Sequence, residues 1–338
     1  MINNSGGNAV EAYSRLNLIG SSAPFLQAVA QINRMATLDA TVLISGETGT
    51  GKELAARAIH YLSARSDKPF VPVNCGALAD SLVESELFGH ERGAFTDAKT
   101  ASAGLIGEAI GGTIFLDEVD TLSAKAQAAL LRFLQDRTYR RVGGGALRQV
   151  DVRVLVASNA DLAELSQKRQ FRQDLLYRLN VLSLHLPALR DREGDAAVLA
   201  KAVLQRLSHQ YRLPIKHLHA DGLAFIQRYR WPGNVRELEN IIHREFLMSD
   251  DTELHLQESC DELMGGMAQD TRSDVIDHPF RDAKANAVAE FERSYVRAML
   301  ARTGGNISQA ARLSKQERSA FGKLVRKYKL GGFEGQVA

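Results

Sequence analysis

Residues 46–53 read Gly-Glu-Thr-Gly-Thr-Gly-Lys-Glu, directly after the β-branched run Thr41–Ser45. This is a G-x-x-x-x-G-K frame opening a helix: a P-loop. Small residues let backbone N–H groups close around a phosphate, the following helix adds its positive end, and Lys52 reaches toward β- and γ-phosphates. The cradle candidates are therefore Gly46, Glu47, Thr48, Gly49, Thr50, Gly51, Lys52 and Glu53. Glu53 stands where a Ser or Thr would touch Mg²⁺, so that hydroxyl must be replaced, by water or by Thr50. Further on, GGTIFLDE is a hydrophobic run that ends in Asp117 and Glu118. Two adjacent carboxylates need different tasks: Asp117 is placed to hold Mg²⁺, and Glu118 to orient and deprotonate an attacking water. The chemistry these residues point to is hydrolysis of ATP.

Other polar groups fall at the ends of similar runs. VRVLVASN ends in Ser158 and Asn159, which can sense a γ-phosphate or hold the water; PFVPVN ends in Asn74. Asn74 either keeps Glu118 from water until a partner engages or caps a helix starting near Ala77. Phosphoryl transfer gains from an arginine that neutralises transition-state charge, often delivered by a neighbouring subunit, and FRQDLLYRL offers Arg172 and Arg178. A salt-bridged helix surface is the ordinary alternative for both. Arg236, opening a later helix, can reach the nucleotide from a lid. His217 and His219 read as lid-surface residues, since no third metal ligand lies at a suitable spacing.

The elements that must carry these residues follow from periodicity. TVLIS, PFVPVNC, GTIFLDE and DVRVLVASN read as buried parallel strands, with helices over 52–64, 76–88 and 123–136 between them. That alternation is an α/β fold with ligand chemistry at the strand C-terminal ends. After LHLPALRDR the strand signals stop, and 194–256 read as a small all-helical unit whose last helix starts with Asn234 as N-cap and Glu237 three residues later. The glycines of RRVGGGALRQ fit a mobile loop and a plain hairpin turn equally well.

Composition sets the frame. The 338 residues are 45% hydrophobic and 24% charged, which fits a packed protein of two or three domains. Cys75 and Cys260 are too few for a disulfide scaffold, and no export signal or membrane-spanning run is visible, so a cytoplasmic location is expected. The net charge of +2 conceals an asymmetry: residues 281–330 carry 12 Lys/Arg against 4 Asp/Glu, a surplus of +8. That segment holds a helix, a TGGN break, a short helix and a basic helix, the layout of a DNA-binding helix-turn-helix. Gln309, Arg312, Arg318, Ser319, Lys323, Arg326 and Lys327 are its candidate DNA contacts, and Gly322 sits inside the last helix at a cost of about 1 kcal/mol relative to Ala.

The stretch ESELFGHERGAFTDA resembles the signature of the sigma-54-dependent activators, bacterial AAA+ enhancer-binding proteins in which such a loop contacts the sigma factor. GETGTGKE, GGTIFLDE, FRQDLLYRLNV and WPGNVRELEN resemble the same family in order and spacing. The resemblance implies an AAA+ P-loop core with a parallel sheet over 17–190, a helical lid over 191–256, a linker over 257–282 and a Fis-type helix-turn-helix over 283–330. Residues 1–16 read as a short leader without a regulatory domain of its own, and 331–338 as a tail. Carried over by position, Gly93, Ala94, Phe95, Thr96, Asp97 and Ala98 form the sigma-contacting loop. Arg172 and Arg178 become arginine fingers, Asn159 sensor I, Arg236 sensor II and Asn74 the glutamate switch. The implied partners are sigma-54 RNA polymerase, double-stranded upstream DNA and copies of the chain itself, dimeric when inactive and hexameric when active; with so short a leader, restraint, if any, is expected from a separate protein or from expression level. Asp97 departs from the family's usual Gly and adds charge at the tip. It motivates the alternative of a regulator with the same fold that works without sigma-54 or represses.

Overall fold

The computed structural model describes residues 17–78, 82–95 and 98–256, and, near the C-terminus, 292, 293, 295–297, 299, 300, 303, 306–314 and 316–328. The chain divides into two compact units, Met1–Cys260 and Asp261–Ala338. In the first, the elements run α1 (Ala23–Ala36), β1 (Val42–Ser45), α2 (Lys52–Tyr61), β2 (Phe70–Asn74), α3 (Val83–Phe88), α4 (Gly104–Glu108) and β3 (Thr113–Asp117). They continue with α5 (Ala124–Asp136), β4 (Thr138–Tyr139), β5 (Arg148–Gln149), β6 (Arg153–Ser158), α6 (Leu162–Gln167), α7 (Gln173–Leu179) and β7 (Leu182–His185). The lid adds α8 (Asp195–Tyr211), β8 (His217–Leu218), α9 (Ala220–Arg228), α10 (Asn234–Met248) and β9 (Glu253–Leu254).

The main sheet is parallel, in the order β2-β3-β6-β1-β7. Its central strands β1, β3 and β6 are apolar on both faces because helices cover both, and period-two alternation sorts each of them into two cores. Leu43, Ile114, Leu116, Val154 and Val156 join the core that includes Leu130, Phe133 and Leu175 of α5 and α7. Val42, Ile44, Phe115, Leu155 and Ala157 face the other way, onto Ile32 of α1 and Ile59 of α2. Pro72 is tolerated because β2 is an edge strand. All central strands end on one side, at Ser45, Asp117 and Ser158.

Several expectations are corrected. The helix expected over 76–88 is a 3₁₀ turn, Cys75–Ala77, followed by extended Leu78 and then the short α3, because Asn74 caps the turn and the chain straightens behind it. A fifth strand, β7, lies beyond the sequence reading; it pairs with β1 at the sheet edge, where only Leu184 of its four residues is fully buried. The lid is not all-helical: β8 and β9 form a small parallel pair. RRVGGGALRQ belongs to a hairpin between β4 and β5. Among the described residues, no helix is long and apolar enough to cross a membrane.

In the second unit, α11 (Ile307–Leu313) and α12 (Arg318–Lys327) pack through Ala310, Ala311, Phe321 and Val325 onto Val296 and Leu300. Asn306 caps α11 by accepting from the amides of Ser308 and Gln309, both at 3.1 Å, which explains the break before it.

Candidate active site

The loop between β1 and α2 turns on glycine. Gly51 holds φ +97° as the residue before α2, and Gly49 holds φ +80°. A Cβ on Gly49 would stand 2.3 Å from the carbonyl oxygen of Gly233, so its absence lets the lid approach the loop, and the Val235 N–H donates to the Gly49 carbonyl at 3.0 Å. Lys52 is buried and its Nζ donates to the carbonyls of Gly46 (2.8 Å) and Glu47 (3.1 Å). Burial lowers its pKa, against the opposing pull of Asp117, Asp120 and Glu118.

Thr50 and Glu53 are both engaged elsewhere: the Thr50 hydroxyl donates to the Glu47 carbonyl (2.8 Å), and Glu53 pairs with Arg57 (2.7 Å). Of the residues named for Mg²⁺, Asp117 therefore fits best, with its remaining positions left to phosphate and water, the usual arrangement for this ion. Asp117 and Glu118 line a cavity of about 440 Å³ together with Thr48, Gly49, Gly51, Lys52, Glu53, Asn159 and Arg236. The same cavity also has apolar lining, from Ile19, Leu54, Leu199, Val203 and Val235. The cavity combines charged groups that can meet phosphates with apolar side chains that can meet a base, which suits a nucleoside triphosphate.

Glu118 sits in the left-handed region at φ +56°. A Cβ on Gly76 would come within 2.5 Å of Glu118 Oε2 and 3.3 Å of Asn74 Oδ1, so Gly76 is what allows the carboxylate to lie beside Asn74. Asn74 Oδ1 accepts from the amides of Gly76 (2.8 Å) and Ala77 (3.2 Å), which makes it a cap in this conformation. Asn159 Nδ2 donates to Thr48 Oγ1 at 3.2 Å, joining β6 to the loop. Ser158 is withdrawn: buried, it donates to Asp120 at 2.7 Å. The neighbouring Cys75 thiol is pushed up to about 12 by burial and the nearby carboxylates, which keeps it unreactive.

Two groups that the sequence analysis does not assign to the site tie the loop to the lid. Arg190 grips both oxygens of Glu47, one at 2.8 Å, and this bond, with a second from Asn234, pulls the Glu47 carboxyl down to about 2. Asn234 is not the helix cap expected of it: Gly233 is, and its N–H donates to Glu237 Oε2 at 2.8 Å. Asn234 has φ +53°, and its fully buried side chain accepts from the Leu189 N–H (2.8 Å) and donates to Glu47 Oε2 (3.1 Å) and the Thr48 carbonyl (3.0 Å). On the apolar side, Asp195 accepts from the N–H groups of Ser21 (2.6 Å) and Ser22 (2.9 Å) and pairs with buried Arg192 (2.9 Å). That network holds the segment carrying Asn17 and Ile19 against the cavity.

Arg172 and Arg178 are exposed at the two ends of α7 and do not line this cavity; Arg172 leans on Asp174 at 2.7 Å. The loop from Gly93 to Ala98 is divided. Gly93 is exposed, and Phe95 is 36% exposed with its ring edge-on to His90 at 5.0 Å, whereas Ala98 is buried and anchors the loop base instead of offering a contact. Thr96 and Asp97 lie outside the described residues. The hairpin sits on this base: Val142 exchanges backbone bonds with Gly89 (2.8 Å) and Glu91 (3.0 Å), and a Cβ on Gly143 would strike Ala94 at 2.8 Å. In the C-terminal unit Gln309, Arg312, Arg318, Ser319, Lys323, Arg326 and Lys327 are all exposed. Lys327 is partly committed, since Glu292 accepts from it (2.8 Å) and from Tyr328 (2.7 Å).

Three family models match in series: the Sigma-54 interaction domain over residues 18–185, the AAA+ ATPase lid domain over 190–275, and the bacterial regulatory protein Fis family over 287–328. The transcriptional regulatory protein ZraR of Escherichia coli is 41% identical over 93% of this chain and 69% of its own length. The chain belongs to the sigma-54 activator family. The nitrogen fixation protein VnfA of Azotobacter vinelandii is 47% identical over 72% of the chain, which spans only 47% of VnfA. Among solved structures, NtrX of Brucella abortus in complex with ATP is 32% identical, with a TM-score of 0.67, over 92% of this chain and 68% of that one. The chain therefore carries an AAA+ ATPase core of this family, its lid and a Fis-type helix-turn-helix.

Proposed function

We propose that this activator-family chain hydrolyses ATP with Mg²⁺ in a ring of its own copies, six in the active form. The cycle moves the loop at 93–98 against sigma-54 RNA polymerase, while the helix-turn-helix holds double-stranded DNA upstream. The observation that carries the reading is a division of labour: Lys52, Asp117, Glu118, Asn159 and Arg236 surround one cavity, whereas Arg172 and Arg178 stand exposed away from it. Arginines so placed serve a neighbour's nucleotide, which makes hydrolysis depend on assembly. Lys52 holds the β- and γ-phosphates, Glu118 orients and deprotonates the attacking water, Asn159 reports the γ-phosphate to the loop through Thr48, and Arg236 reads it from the lid. Asp117 would hold Mg²⁺, whose charge neutralises the phosphate oxygens. The exposed Phe95, carried on small residues and backed by the hairpin, forms the working tip. The basic face of α12 meets phosphates and base edges.

Glu118→Gln removes the base while keeping shape and hydrogen-bonding capacity. It is expected to bind ATP and DNA normally, to lose hydrolysis by roughly 10²–10⁴-fold, and to abolish transcription from a reconstituted sigma-54 promoter. Undiminished transcription by that variant would overturn the mechanism. Activity of the wild-type chain with polymerase lacking sigma-54 would favour the alternative regulator.

A further inference from the structure

Two histidines far apart in sequence are brought side by side in the lid. The parallel register of β8 and β9 pairs His217 with Glu253 and Leu218 with Leu254, and the His219 N–H continues it by donating to the Leu254 carbonyl at 3.1 Å. The next register position therefore sets His219 opposite His255, and their rings lie 4.3 Å apart, tilted by 36°. His219 is also the cap of α9, whose first turn carries Asp221, with an Asp221 oxygen 3.2 Å from His219 Nδ1. One nitrogen from each imidazole and one Asp221 oxygen lie within 4.8 Å of one another. No other group of three or more His, Cys, Asp or Glu side chains among the described residues is gathered tightly enough to hold a metal ion.

We propose that His219, Asp221 and His255 form a binding site for one borderline divalent transition-metal ion, with zinc as its probe, separate from the Mg²⁺ used with ATP. The donor set decides the class: two imidazoles and a carboxylate suit zinc, cobalt or nickel, whereas magnesium takes oxygen. Zinc at about 2.1 Å from its ligands holds them roughly 3.4 Å apart, so closing the site requires shifts on the order of an ångström, open to the exposed Asp221 and His255 side chains. Three protein ligands leave a fourth position to water. The backbone supports the arrangement: Gly222 in the first turn of α9 has no side chain to push against Leu254 and Leu256, whose atoms would lie 3.2–3.7 Å from a Cβ there.

The site has a mechanical consequence. The β8–β9 ladder is only two residues long on each strand, too short to be stable by itself. Leu254 and Leu256 plug it into the lid, and the chain beyond leads to the C-terminal unit. An ion bridging His255 to the start of α9 pins the root of that connecting segment to the lid.

The test uses the untagged full chain, stripped by chelator dialysis and titrated with zinc chloride in a calorimeter, with cobalt(II) absorption as a second readout. One zinc per chain is expected. Its affinity falls at least tenfold in His255→Ala and in His219→Ala, and stays unchanged in His243→Ala, a lid histidine paired with Tyr211. Bound zinc also slows amide exchange at 253–256. Because His219 caps a helix, His219→Ala can fail to fold, and the exposed His255 then decides the outcome. Wild-type zinc affinity in His255→Ala, or absence of stoichiometric binding to the wild-type chain, would overturn the proposal.

Discussion

Asn234 should couple the nucleotide loop to the lid, and its replacement separates side-chain from backbone effects. In Asn234→Ala the buried Leu189 N–H and the Thr48 carbonyl lose their partner, which costs about 1–3 kcal/mol. The new methyl must also occupy φ +53°, a region Asn tolerates better than Ala, adding about 1 kcal/mol. The expected loss of roughly 2–4 kcal/mol corresponds to a fall in Tm on the order of 5–15 °C for a unit of this size. Asn234→Gly relieves the backbone and should recover roughly 1 kcal/mol of that loss, leaving the hydrogen-bond deficit visible. Asn234→Asp keeps an acceptor for Leu189 but turns a carboxylate toward Glu47, so stability returns in part while nucleotide binding does not. In all three variants ATP affinity falls about tenfold, equivalent to about 1.4 kcal/mol of lost loop-to-lid coupling. Thermal or denaturant unfolding and fluorescent-ATP titration measure both quantities. If Asn234→Ala and Asn234→Gly match each other and the wild type within about 0.5 kcal/mol, the side chain couples nothing and the reasoning fails.

Replacing Arg172 or Arg178 with Ala should lower steady-state hydrolysis by about 10³-fold while leaving ATP affinity intact, because neither lines the chain's own cavity; weakened affinity in an isolated chain would place them in cis. The Glu47–Arg190 pair, 44% and 38% exposed, contributes only about 1 kcal/mol after solvent screening. Its carboxyl is depressed from 4.5 to about 2, so the contribution is complete above pH 4.5 and drains away as pH falls toward 2. The stability gap between wild type and Arg190→Ala should close across that window in unfolding experiments, and a gap that persists at pH 2 rejects the assignment. Burial pushes the Asp195 carboxyl up, but bonds from Ser21, Arg192 and Ser22 outweigh it and the net shift is downward. Asp195→Ala leaves Arg192 buried without its partner and should cost about 3–5 kcal/mol by chemical denaturation; a loss below about 1 kcal/mol would show the network to be dispensable.

The residues that determine chemistry through local geometry are legible in the sequence. A phosphate cradle needs a strand, glycines and a helix start within a few residues, so Gly46–Lys52 announce it; Asp117, Glu118 and Asn159 follow because strands of one parallel sheet end on one side. The central strands are readable because each is apolar on both faces. What fails are readings that depend on a distant partner. The run 182–185 is a strand only because β1 lies beside it. Asn234 and Glu237 carry the letters of a helix cap, yet packing against Leu189 and the nucleotide loop turns Asn234 left-handed and directs its amide elsewhere. Ser158, the last residue of β6, and Asn159, the next, have opposite fates, because successive residues of an extended chain face opposite ways. In sequence His219 has no third group at metal-ligand spacing; a strand register places His255, 36 positions later (255 − 219), beside it. Short-range periodicity and motif spacing are properties of the chain, so the candidate catalytic strand ends and the phosphate loop are written there; which side chains meet across the lid is decided only when long-range pairing sets the register.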